Sequence, residues 1–370
     1  MDSNYFGKLS VIGMRGTENF VRRVDEYLTD WRKKEEPTYL LPADCPRFGT
    51  GEAKGILHDT VRGHDIYLFC DPFSYGVTYK MYGQNVPMSP DDHFQDLKRM
   101  IGAIGGKARR INVVMPMLYE GRQHRRSARE SLDCAIALQE LVNAGVTNII
   151  TFDAHDARVQ NAIPYHGFES VRTSYQMLKA MVKYDPEVKF LPDQTLFITP
   201  DEGGMSRAMY YSSVLGLDLG MFYKRRNYTI VVDGRNPIEA HEYLGNSVEG
   251  KNVIIVDDMI SSGDSIIDVA YQLKERGAGK IFVFATFGLF CNGLENFDKA
   301  YAQGLFNRIY TTNLNYRDRS VLERDWYREV SMCKYVAYII DTLNRDESIS
   351  DLLNPAGRIH SLIDRAKLTY

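Results

Sequence analysis

Cysteine is sparse in this chain: Cys45, Cys70, Cys134, Cys291 and Cys333 stand far apart, with no CxxC pair among them. That spacing excludes the common zinc and dithiol patterns and gives no reason to expect disulfides. Long apolar runs are missing as well, so no segment is expected to cross a bilayer. The opening residues, MDSNYFGKLSVIG, lack the basic start, apolar stretch and small-residue cleavage site of a secretory leader, and a cytoplasmic location is the expectation. Neither sign of charge prevails: 45 Lys and Arg against 48 Asp and Glu leave a net charge of -3. Such a balance exerts no overall pull toward nucleic acid or a membrane surface, and neither partner is expected. Basic character is local instead, at Arg109 and Arg110, at 122–129 and at 224–226. Clusters of that size suit a small anionic ligand better than a long polyanion, although Arg109 and Arg110 are expected on a solvated face.

What is present points to layered α/β structure. A length of 370 residues suggests two domains, and 44% hydrophobic with 25% charged residues is a globular composition. Apolar runs at 65–70, 111–115, 147–152, 196–199, 253–256 and 281–286 read as strands alternating with helices, hence a mainly parallel sheet. The best-marked helix is predicted to start at Ser127, where Ser127 and Glu130 have capping-box spacing, and to end before Gly145. NIITFDAHD at 148–156 and NVIIVDDMI at 252–260 echo one another, each an apolar strand delivering acidic residues at its carboxyl end. The echo suggests two similar α/β domains facing one another, with a ligand where strand ends converge, and a boundary within 161–167. Residues 74–92, rich in Gly, Pro, Tyr and Met, read as a long surface excursion.

The most informative run is 252–266, NVIIVDDMISSGDSI. A β-branched strand is followed by Asp257 and Asp258, and then by a turn of small hydroxyl-bearing residues, Ser261, Ser262, Gly263, Asp264 and Ser265. Apolar Ile266, Ile267, Val269, Ala270 and Leu273 then mark a helix ending near Gly277. Backbone N–H groups at such a helix start suit a phosphate, and paired carboxylates accept hydrogen bonds from ribose hydroxyls, so a sugar phosphate fits.

Other segments gather groups for phosphoryl chemistry. Asp153, His155 and Asp156 follow a strand and offer an imidazole and carboxylates to a magnesium-nucleotide or its waters. In TPDEGG at 199–204, followed by Arg207, Asp201 suits magnesium or a sugar hydroxyl, while Gly203 and Gly204 permit close approach of phosphate. Lys224, Arg225 and Arg226 open an aperiodic polar stretch, 227–250, and a basic group at the base of a mobile loop can neutralise charge on a transferred phosphoryl group. GRQHRR at 121–126 offers guanidinium groups to phosphate oxygens.

Taken together these segments resemble ribose-phosphate pyrophosphokinase, also called phosphoribosyl pyrophosphate synthetase, over nearly the whole chain. VDDMISSGDS resembles that family's ribose-5-phosphate loop, FDAHDARVQ its DLHAxQ-type segment and TPDEGGMSRA its SPDxGGxxRA segment. KRR resembles the start of its catalytic flexible loop, GRQHRR its ARQDRR segment, FGTGE at 48–52 its adenine-contacting loop, and RDESISDL at 345–352 a carboxyl-terminal helix region. Seven matches in family order are far more specific than any one of them.

The resemblance implies two similar phosphoribosyltransferase-like domains: an ATP-side domain at 1–165, a ribose-5-phosphate-side domain at 166–325, and a helical segment at 326–370. It implies attack of the anomeric hydroxyl of ribose 5-phosphate on the β-phosphorus of magnesium-ATP, giving phosphoribosyl pyrophosphate and AMP. His155 and Asp201 would bind or position Mg2+, and Lys224, Arg226 and His155 would be catalytic. Asp257 and Asp258 would hold ribose hydroxyls, with Ser261, Ser262, Gly263, Asp264 and Ser265 around the 5-phosphate. Arg122, Gln123 and Arg125 would contact ATP, and Phe48, Thr50 and Glu52 its adenine. In that family the adenine loop comes from a neighbouring subunit, so a homo-oligomer, dimers assembling to a hexamer, is implied.

His124 stands where the family usually has aspartate, Thr50 where aspartate or asparagine is usual, and Asp264 in place of a small residue. These departures motivate a second reading, a catalytically silent nucleotide-binding paralogue. A simple phosphoribosyltransferase shares the Asp-Asp turn but needs only one such domain and a small hood.

Overall fold

The computed structural model describes residues 5–33, 35–226 and 238–367. They form two compact units: Met1–Thr173 with Asn313–Asp318 and Ser331–Asn354, and Ser174–Thr312 with Arg319–Val330 and Pro355–Tyr370. The segment 326–370, read from sequence as one piece, is thus shared between the two.

The first unit is built on a five-stranded sheet in the order Lys8–Gly13, His64–Phe69, Arg110–Val114, Asn148–Phe152 and Gly167–Val171, every pair parallel. All six residues of His64–Phe69 are buried, the pattern of a strand covered on both faces. Leu97 and Ile101 of the helix Pro90–Ile104 and Leu138 and Leu141 of Asp133–Asn143 pack with Ile66, Leu68, Val113 and Ile149. Each such side chain contributes roughly 1.5–3 kcal/mol on burial. The strand Gly167–Val171 completes this sheet, so the stretch 161–167 leads into a strand of the first unit.

A buried acid ties distant parts of that unit together. Asp65, with no exposed surface, accepts two hydrogen bonds from Arg110 at 2.8 and 2.7 Å, one from Asn112 at 2.8 Å and one from Asn344 at 2.9 Å. Arg110 also donates to the carbonyl of Leu343 at 2.7 Å. The expectation of a solvated Arg110 is corrected: its side chain is 10% exposed and neutralises Asp65. Removing one partner from such a buried ion pair typically costs about 3–5 kcal/mol.

The second unit carries a seven-stranded sheet, Ile238–Leu244, Asp218–Arg226, Thr195–Thr199, Asn252–Ile260, Ile281–Gly288, Arg308–Thr312 and Tyr327–Val330. Its first pair is antiparallel and the rest are parallel. Trp326, Phe290 and Phe297 form an aromatic cluster on one face, where the Trp326 indole N–H donates to Asp298 at 2.8 Å.

Two elements differ from expectation. The helix predicted from Ser127 begins at Asp133. Glu130 does reach back to the Ser127 N–H at 3.2 Å, but residues 125–131 are all exposed, and a helical turn without an apolar face to bury does not persist. The strand expected to stop at Val256 runs to Ile260, because Asp257, Met259 and Ile260 stay in register with Ala285, Phe287 and Gly288. Asp257 and Asp258 therefore sit on the last turns of the pleat and not in the loop after it.

Candidate active site

In the second unit the candidate site lies at the acidic end of the strand Asn252–Ile260. Alternation along Asn252–Ile260 leaves Asp258 buried and Asp257 half-buried, and the Asp257 carboxylate accepts from the Asp258 N–H at 2.8 Å. Burial first, and then the neighbouring Asp258 charge, push the Asp257 carboxyl well above the usual range, with Arg207 opposing. An acid pair strained this way gains from hydroxyl donors or a cation.

The turn that follows is fixed by glycine. Gly263 has φ +87°, and a Cβ there would overlap the ring of Phe297. Both conformation and space thus demand glycine. Cys291 braces the same turn, its N–H donating to the Ser261 carbonyl at 2.9 Å and its sulfur receiving the Ser261 hydroxyl at 3.6 Å. Nothing in the sequence marked Cys291 or Phe297, since each lies about one strand and one turn further along the chain.

The helix Asp264–Glu275 starts directly from the turn, placing backbone N–H groups and the positive end of its dipole beside Ser262 and Gly263. Asp264 is the first residue of this helix; the N-cap is Gly263 and no side chain caps it. Asp264 lines an outer groove of about 420 Å³ with Asp268, Tyr271 and Lys299.

Asp201 lies on the neighbouring strand end. Its carboxylate accepts from the Gly203 N–H at 2.9 Å, and the Thr199 hydroxyl donates to its carbonyl at 2.7 Å. Gly204 is buried, within 3.4 Å of the Val256 carbonyl measured from an added Cβ, so this turn presses on the acidic strand. Asp201, Arg207 and Asp258 each lie close enough to Asp257 to act on it electrostatically.

Lys224 and Arg226 are on the strand Asp218–Arg226, opposite His241 and Ile238, with a register shift between Arg225 and Arg226. The following segment, 227–237, lies outside the described residues. Residues 238–244, part of the stretch read as aperiodic, form an edge strand.

In the first unit, Asn148–Phe152 ends in Asp153 at φ +39°, whose carboxylate is held by the Thr173 hydroxyl at 2.6 Å. His155 is exposed, and its ring lies 5.2 Å from that of His124. Asp156 is gripped by Arg158, whose hydrogen bonds above all hold its carboxyl down at about 2. Arg122, Gln123 and Arg125 are exposed in the irregular segment before the helix Asp133–Asn143.

Phe48, Thr50 and Glu52 share a tight exposed loop. Phe48 N–H donates to the Glu52 carbonyl at 2.7 Å, Gly51 N–H to the Phe48 carbonyl at 2.9 Å, and the Thr50 hydroxyl to Glu52 at 2.9 Å. Phe48 is 54% exposed.

No group of three or more His, Cys, Asp or Glu suited to a metal occurs among the described residues. No helix among them is long and apolar enough to cross a membrane.

A family model described as the N-terminal domain of ribose phosphate pyrophosphokinase matches residues 9–145, and one for the phosphoribosyl transferase domain matches 189–314. A ribose-phosphate pyrophosphokinase of Vibrio cholerae is 28% identical over 319 residues, covering 85% of this chain and 92% of that protein. One from Ralstonia nicotianae is 30% identical over 250 residues, 67% of this chain and 70% of that protein. Among solved structures, the phosphoribosylpyrophosphate synthetase of Mycobacterium smegmatis shares the fold with a TM-score of 0.74 at 19% identity, covering 92% of this chain and 99% of that one. A chain that matches both domain models in order and aligns along most of its length with these relatives belongs to the ribose-phosphate pyrophosphokinase family.

Proposed function

We propose that this family member is an active ribose-phosphate diphosphokinase, transferring the β,γ-diphosphoryl group of magnesium-ATP to the anomeric hydroxyl of ribose 5-phosphate. The carrying observation is the acid pair Asp257 and Asp258 running directly into a glycine-fixed turn at a helix start. In this reading the two carboxylates take the ribose hydroxyls, and Ser261, Ser262, Gly263 and Ser265 hold the 5-phosphate on the helix start.

The anomeric oxygen forms a bond to the β-phosphorus as the bond between that phosphorus and the α-phosphate oxygen breaks. AMP leaves, and the hydroxyl proton is released. Lys224 and Arg226 neutralise the charge that builds on the transferred group, an effect of several kcal/mol when the donors are preset. Arg122, Gln123 and Arg125 bind ATP, and Phe48, Thr50 and Glu52 of a neighbouring copy meet its adenine, so a homo-oligomer belongs to the reading.

Magnesium arriving with a triphosphate keeps several waters and phosphate oxygens and needs only one or two protein donors. In this reading Asp201 would supply a carboxylate and His155 an imidazole to the ion or its waters. The ion would supply charge neutralisation on the triphosphate. A cytoplasmic location, with no nucleic-acid or membrane partner, completes the reading. Incubation with ATP, magnesium and ribose 5-phosphate is expected to yield AMP and phosphoribosyl pyrophosphate in equal amounts. Tight nucleotide binding with no AMP would return the silent paralogue.

A further inference from the structure

The excursion at 74–92 is not loose. Thr78–Met81 and Gln84–Pro87 pair as an antiparallel hairpin around Tyr82 and Gly83, both at positive φ, +48° and +80°. Two such residues make the turn whose twist matches a hairpin. A two-stranded hairpin of this size is marginal alone, so its contacts decide whether it holds.

Its root is anchored within the first unit. The Met88 N–H donates to the Val77 carbonyl at 2.8 Å, the His93 ring bonds the Ser74 carbonyl at 2.9 Å, and Tyr75 meets Tyr316 edge-on at 4.8 Å between centroids. Its tip is spent on the Phe48–Glu52 loop. The Tyr82 N–H, which a two-residue turn leaves without a partner in its own hairpin, donates to the Gly49 carbonyl at 2.8 Å. Met81 packs on Gly51, its sulfur 2.9 Å from where a Cβ would stand, and Gly51 itself has φ +95°.

Below the loop, Arg47 joins the two. Its guanidinium lies 4.7 Å from the Tyr79 ring centroid and bonds Asp96 at 3.0 Å, while its side chain is only 5% exposed. The Tyr79 hydroxyl reaches Asp92 at 3.3 Å, and Asp92 closes the capping box of the helix Pro90–Ile104 with Ser89. A ring of one hairpin thus meets Arg47 at the base of the loop, and a thioether and a backbone N–H of the same hairpin meet Gly51 and Gly49 within it.

We infer that the hairpin Thr78–Pro87 is a positioning element that presets the Phe48–Glu52 loop, and thereby fixes nucleotide affinity without touching the reacting phosphates. The inference rests on the reading of that loop as the adenine contact. An exposed loop left to itself samples many conformations, and the ordering cost then falls on the bound state; a loop held beforehand avoids it. The hairpin residues are positioning residues, so their removal shows in KM for ATP and leaves kcat nearly intact.

The test uses the full chain with Tyr79→Ala and Met81→Ala, singly and together, beside Tyr79→Phe and Phe48→Ala. Hydrogen exchange at the Phe48 and Gly51 amides is expected to quicken by at least about tenfold in the double variant. KM for ATP is expected to rise on the order of tenfold, with kcat and KM for ribose 5-phosphate within about twofold of the parent. Tyr79→Phe, which keeps the ring over Arg47, is expected to match the parent in both measurements, and a change as large as that of Tyr79→Ala would overturn the stacking role. Unchanged exchange at Phe48 and Gly51 in the double variant would overturn the clamp itself. Quickened exchange together with an unchanged KM for ATP in Phe48→Ala would instead overturn the adenine reading on which it rests.

Discussion

His124 and His155 face one another at 5.2 Å between ring centroids, and His124 Nε2 lies 3.7 Å from Asp156 while its Nδ1 is buried without a hydrogen-bond partner. The family-typical aspartate at this position would bring a second carboxylate next to Asp156; histidine brings a group that can donate to it. His155→Ala is expected to depress kcat by on the order of a hundredfold, while His124→Ala melts within a few degrees of the parent because its ring makes few satisfied contacts. Steady-state rates and thermal melts check both, and a normal rate in His155→Ala would return that residue to a structural role.

Lys224→Ala and Arg226→Ala are expected to lower kcat by about a hundredfold or more with KM values changed little, the signature of charge stabilised only in the transition state. Turnover within a few-fold of the parent in either variant removes that residue from the mechanism.

Gly263→Ala forces a Cβ against Phe297 at a φ of +87°, a conformation that costs an L-residue about 1–2 kcal/mol before any clash. Because the strain falls on the turn, KM for ribose 5-phosphate is expected to rise far more than KM for ATP. Isothermal titration with each ligand separates the two, and equal losses would mean that the turn does not hold the sugar phosphate.

Asp71 gives a pH dependence. It is buried and accepts from the Phe73 and Tyr316 N–H groups at 3.0 and 2.6 Å, yet burial outweighs those bonds and raises its carboxyl to about 6. A folded value above the unfolded one means the native state holds the proton more tightly. The contribution of this group is therefore full below about pH 4 and is lost as pH rises through about 6, a change of up to about 3 kcal/mol. Asp71→Asn is expected to gain on the parent in urea-denaturation stability between pH 5 and 7, and a pH-independent difference between the two would contradict the assignment.

Much of the fold was legible because β-branched runs such as 253–256 and 281–286 leave few alternatives to a buried parallel strand. The strand, glycine turn and helix at 252–275 were legible for a similar reason: residue types and spacing both mark that turn. What escaped reading depends on partners remote in sequence. Asp65 is satisfied by Arg110, 45 residues on, and by Asn344, 279 residues on, and neither spacing has a local signature. Ser127 misled in the opposite sense, since a capping pattern states where a helix is permitted and not whether it has a face to bury. The hairpin has little local signature because its strands, TYKM and QNVP, are only four residues each. Its meaning lies in Arg47 and Gly49, which no period reveals.

Asn344 closing the bond set of Asp65 orders events during synthesis. Domains generally fold as they emerge, amino-terminal first. Here Asp65 already holds its bonds from Arg110 and Asn112 but lacks the one from Asn344 until residues 331–354 leave the ribosome, after the chain of the second unit's sheet has been made. A nascent chain halted near residue 320 would carry the whole first sheet and still lack its keystone.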